Sequence, residues 1–163
     1  MPVLKASTLT VSSWMVLASL ALLLGCGSEG GYEDQLVSGT DEQRAQAASF
    51  LGAQREVRAV PALVSALGDP VPAVRAKVAW ALGMMGARQA LLPLAACLSD
   101  SSTRVRQQAG LALMQLEDPG AIGALEAALR AEPDVWVRGD LQRALSHLRQ
   151  FEGEADLSEG GFR

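Results

Sequence analysis

Aromatic side chains are scarce in this sequence, supplying 4% of its 163 residues. Sandwich and barrel cores draw on Tyr, Phe, Ile and Thr, so the scarcity weighs against an all-β fold. A core here has to be built from Leu, Val and Ala, which suits packed helices. Histidine occurs once and cysteine twice. With no H-E-x-x-H and no paired cysteines, no metal site is expected. Basic runs are missing as well. The formal net charge is −4, and an acidic chain without clustered Lys and Arg excludes a nucleic-acid partner, because that affinity rests on neutralising phosphates. No motif names a reaction, so neither a catalytic residue nor a cofactor is expected. The length leaves room for one domain.

Only one long apolar run is present, "VSSWMVLASLALLLG" from Val11 to Gly25, with Lys5 ahead of it. It falls short of the roughly 20 apolar residues that a membrane-spanning helix needs. Its length and position fit a secretory signal peptide over residues 1–25. The run ends in Leu23-Leu24-Gly25-Cys26, which resembles the lipobox of bacterial lipoproteins. That resemblance implies acylation of the Cys26 thiol and anchoring of the mature chain to a membrane of the bacterial cell envelope. Gly27 in place of Asp after the cysteine points, by the same resemblance, to the periplasmic side of the outer membrane if the organism has one. If Cys26 carries lipid, Cys97 has no disulfide partner, and it reads as a buried small apolar residue within "LPLAACL". "GCGSEG", Gly25 to Gly30, matches the dinucleotide-binding G-x-G-x-x-G by letter. It straddles the expected cleavage point and lacks the preceding strand, so it is discarded.

Four arginines set a rhythm. Arg44, Arg75, Arg106 and Arg138 follow one another at 31, 31 and 32 residues. With the residue before each arginine as position 0, apolar residues return at positions 4, 7, 8 and 11. Val78, Ala81, Leu82 and Met85 form one set, and Ala109, Ala112, Leu113 and Leu116 the next; Leu141, Ala144, Leu145 and Leu148 complete the series. Those intervals trace one stripe of a helix. Alanine at position 7 in all three sets admits a close neighbouring helix. A shorter helix is predicted before each, marked by Leu63, Leu94 and Leu125, with Pro61 and Pro93 near the starts of two of them. The turns inside the pairs carry Asp69, Asp100 and Glu132, each six residues before an arginine.

One hairpin cannot bury its own stripe, so the pattern predicts an all-α solenoid of stacked helix hairpins with a period near 31. "VPALVSALGDPVPAVRAKVAWALGMMG" and "LLPLAACLSDSSTRVRQQAGLALMQLEDPGA" resemble HEAT-like repeats of the phycocyanobilin-lyase subtype. The repeat domain is expected over residues 41–150. "DEQRAQAASFLG" is its first second helix, with Ala47, Phe50 and Leu51 at positions 4, 7 and 8. "YEDQLVS", within residues 26–40, is a candidate partner helix, and an acidic, glycine-rich disordered tail is expected over 151–163.

The arginine column invites reading as a ligand ladder, but its fixed distance from the turn acids favours ion pairs along the stack, as the resemblance also implies. His147 is expected at the surface. The resemblance places the second helices on a concave face. There Trp80 and Leu111 share position 6 with Arg143, and Met114 stands at position 9. They form a candidate partner-binding patch, with burial between neighbouring helices as the competing account. Trp136 is expected to cover the last repeat. The resulting expectation is a lipid-tethered, non-catalytic adaptor or scaffold for an unknown protein partner in the cell envelope. The alternatives are a bilin-lyase-like or chromophore-binding protein and a structural subunit of an envelope complex.

Overall fold

The computed structural model describes residues 31–159, the last nine as backbone only. The expected signal peptide, the lipobox and Cys26 lie outside the described residues. Eight α-helices follow one another, and no strand occurs among the described residues. They are α1 (Gly31–Ser38), α2 (Asp41–Ala53), α3 (Val60–Ala66), α4 (Pro72–Met84), α5 (Leu91–Cys97), α6 (Thr103–Gln115), α7 (Ile122–Ala131) and α8 (Val135–Glu159). Three-residue 3₁₀ turns lead into α3, α5 and α7. Each odd helix packs on the even helix that follows it, and the even helices pack on one another in sequence. The chain is an α-solenoid of four hairpins.

The stripe read from the sequence is the core. Val78, Ala81 and Leu82 of α4, Ala109, Ala112 and Leu113 of α6, and Leu141, Ala144 and Leu145 of α8 are all buried. Position 7 acts as the alanines suggest, and the structure supplies its counterpart. A Cβ added to Gly52 would lie 2.6 Å from the Ala81 Cβ, and one added to Gly83 would lie 2.9 Å from the Ala112 Cβ. Position 9 of one hairpin therefore presses on position 7 of the next. In the third junction Met114 replaces the glycine, and close approach moves to Gly110, where a Cβ would meet Leu141 Cδ2 at 2.6 Å.

The same register explains Phe50, which the stripe places in the core. It is 41% exposed, because position 7 faces the preceding hairpin and no hairpin precedes this one among the described residues. Tyr32 of α1 stacks on it instead, with centroids 4.0 Å apart. Thr40 and Gln43 close the start of α2 with a reciprocal capping box.

Helix ends repeat as faithfully as helix faces. Arg55, Gly86 and Glu117, one period apart, all take positive φ, at 52°, 62° and 50°. Only glycine does so without strain. The stack therefore imposes one exit geometry whichever residue stands there. At the other end α8 continues nine residues past Gln150, into the stretch whose composition suggests a disordered tail. No proline follows Pro133, and a lone Gly153 costs about 1 kcal/mol, too little to stop a helix.

Candidate functional site

Helix α4 carries Trp80, half-buried and packed against the core. The Lys77 ammonium, one turn earlier, lies 5.9 Å from its ring centroid, within reach of a cation–π interaction. Arg104, at the start of α6, and Gln108 line the same hollow of about 180 Å³ with Lys77 and Trp80. The site is an aromatic plate flanked by two cations. It suits a partner group with apolar bulk beside an acid.

Sequence reasoning grouped Trp80 with Leu111, Met114 and Arg143, and the structure distributes these residues. Met114 lines a second hollow, of about 330 Å³, with Met84, Met85, Gln115 and His147. Leu111 is half-buried on α6 and lines neither hollow. Arg143 is exposed on α8, pairs with Asp140 and lines a third hollow at the end of the stack. His147, expected at the surface, is half-buried and borders the second and third hollows.

Trp136 departs most from expectation. It covers nothing and is 82% exposed, beside the exposed Val135. Its slot, one residue before position 0, holds Glu42, Ala73 and Arg104 in the other hairpins, and all three are exposed. That column was the signal available in the sequence, and it outweighs the general tendency of tryptophan to be buried.

The arginine column is structural. Arg44 donates through Nε and Nη2 to Asp69 at 2.6 and 3.0 Å, and Arg75 forks onto Asp100 at 2.7 and 2.8 Å. Arg106 repeats the fork on Glu132 at 2.7 and 2.8 Å. Each arginine thus holds the acid of the next hairpin's turn. Arg75 and Arg106 also donate through Nη1 to the carbonyl of their own hairpin's acid, at 2.8 and 2.9 Å. Each acid in turn accepts a backbone N–H two residues on, from Val71, Ser102 and Asp134. The arginine hydrogen bonds hold all three carboxyls below their ordinary range.

Cys97 is buried, and burial pushes its thiol pKa up, which matches a small core residue rather than a nucleophile. Among the described residues no group of three or more His, Cys, Asp and Glu gathers in a way that could hold a metal ion.

A family model for HEAT repeats matches residues 33–100 and 86–146. Among solved structures the fold is similar to the complex of CpcE and CpcF of phycocyanin lyase from Nostoc sp. PCC7120, with a TM-score of 0.58 and 26% identity. That match covers 73% of this chain and 64% of the other. No curated protein matches the chain.

Proposed function

The chain belongs to the HEAT-repeat family, and from that premise we propose that it is a non-catalytic scaffold holding a protein partner against its even helices. The observation that carries this reading is Trp80, half-buried yet reachable, between Lys77 and Arg104. Aromatic and arginine side chains of this kind concentrate binding energy in protein interfaces. The exposed Trp136 adds a second anchor at the start of α8.

Trp80→Ala should weaken partner binding by about 2 kcal/mol, or roughly thirtyfold in Kd. The partner is to be recovered from crosslinked envelopes and its Kd measured beside the Tm of each variant. An early-melting variant that binds normally would move Trp80 from the site to the scaffold.

Envelope tethering through lipid on Cys26 is part of the proposal and rests on the lipobox resemblance. Growth on a labelled fatty acid should mark the chain and leave Cys26→Ser unlabelled and unprocessed. Label on Cys26→Ser would remove the tether from the reading.

The second reading, a bilin-lyase-like or chromophore-binding role, draws on the similarity to the phycocyanin lyase complex, of which this chain spans 64% of the matched chain. Titrating the protein with a bilin separates the two, since only that reading expects a shift in the pigment's absorbance.

A further inference from the structure

The ion-pair column stops one step short of its last arginine. Arg44, Arg75 and Arg106 each hold the turn acid of the next hairpin. Arg138 occupies the same register on α8 and is exposed. Among the described residues no carboxylate pairs with it, and its side chain makes one hydrogen bond, from Nη1 to the carbonyl of Glu132 at 3.5 Å. That bond is the weak remnant of the contact that Arg75 and Arg106 make with their own turns. The edge that grips an acid in the other three hairpins holds none here among the described residues.

The rest of this end has the relief of an internal junction with altered polarity. In the inner hairpins, positions 2, 5 and 9 of an even helix face the next hairpin. Gln107 donates to Asp140, Gly110 meets Leu141, and Gly83 meets Ala112. On α8 those positions are Gly139, Gln142 and Ser146, and they line a hollow of about 510 Å³. Gly139 weakens its helix, yet a Cβ there would meet nothing within 4 Å, so nothing inside the described chain requires a glycine. Gly139 and Ser146 leave room for a neighbouring helix at positions 2 and 9, while Gln142, Arg143 and Gln150 make the rest of the face polar. The face can therefore stand in water without that neighbour, as a separable interface requires.

We propose that the C-terminal end of the stack docks a second helical-repeat protein, whose first turn presents an Asp or Glu to Arg138. The guanidinium fork selects a carboxylate and fixes the register of the incoming hairpin, as in the three internal junctions. A second copy of this chain does not fit. Its first turn has Ser38 where the others carry the acid, and Phe50, stacked on Tyr32, occupies the position that must be small for close approach. This surface is separate from the Trp80 hollow and does not depend on the function proposed for it.

The test places a photo-crosslinking amino acid at Gln142 of the full chain in its own cells and maps the captured peptide. The expected product is a helical-repeat chain joined next to a turn that carries Asp or Glu. Arg138→Ala and Arg138→Gln should each lower its yield at least tenfold with unchanged Tm, and Arg88→Ala, an exposed arginine in the turn before α5, should leave the yield intact. Exchanging charges, Arg138→Glu here with the mapped acid changed to Arg in the partner, should restore it. An unchanged yield in both Arg138 variants overturns the proposal. So does capture of a second copy, of lipid, or of a segment without an acid-bearing turn, and so does the absence of any crosslink.

Discussion

Leu113→Ala lowers the stability of the whole stack by about 2–5 kcal/mol, the range for deleting a fully buried leucine side chain. Leu113 has no exposed surface, and it belongs to α6, which packs on both α4 and α8. A cavity at that point therefore loosens two junctions at once. Solenoid stability is a sum of unit terms and nearest-neighbour interface terms, so an interior hairpin carries more of it than an end. The check is urea unfolding followed by circular dichroism, with Leu82→Ala, equally buried in α4, as a companion. Both variants should remain helical in water and unfold at lower urea. A loss below about 0.5 kcal/mol at both sites, the size of a surface change, would remove this stripe from the core.

Glu132→Ala should cost about 2–4 kcal/mol. Its side chain is 2% exposed and receives the bidentate fork of Arg106, itself 13% exposed. Removing one partner of a buried pair strands the other's charge, which costs more than the pair contributes. The slight opening of Arg106 to water discounts that cost. Glu132 also accepts the Asp134 N–H at 3.0 Å, so the variant loosens the turn into α8 as well. Glu132→Gln keeps the shape and one of the two acceptor oxygens, and should lie between wild type and Ala.

Acid should act on the same pairs. The folded-state pKa values of Asp69, Asp100 and Glu132 are lowered, first by hydrogen bonds from their arginines. Their contribution is therefore complete above the unfolded carboxyl range, near pH 4, and is lost as pH falls through the lower folded values. Below about pH 4 the wild type should lose stability faster than Glu132→Ala. Parallel pH profiles would show that the Arg106–Glu132 pair contributes nothing to acid sensitivity.

Much of the fold could be read from the sequence because a repeat states its rule several times. The apolar stripe at positions 4, 7, 8 and 11 marked helix faces and hairpins, and an acid six residues before three of the four arginines pointed to ion pairs along the stack. Which arginine holds which acid, namely the arginine 25 or 26 residues before it, only the stacking decided. A single Leu or Arg would have been ambiguous, but three or four at one spacing are not. The candidate site was less legible. Trp80, Leu111, Met114 and Arg143 share or adjoin one register, yet they line different hollows or none. Register gives the direction in which a side chain leaves its helix, and not what stands beside it on the next helix.

Sequence alone determined the period, the all-helical class and the buried stripe, because each follows from spacing along a regular helix. Tertiary structure decided what happens where the repetition stops. Phe50 sits at a core position but stacks on Tyr32 in the first of the described hairpins. Trp136 stands in solvent, and Arg138 repeats the residue of its register without the acid of a next hairpin. The stack likewise imposed positive φ on Arg55 and Glu117, residues that disfavour it. The reason is the same in each case: the environment of a repeat residue is set by the neighbouring hairpin, so an identical register means burial inside the stack and exposure at its ends.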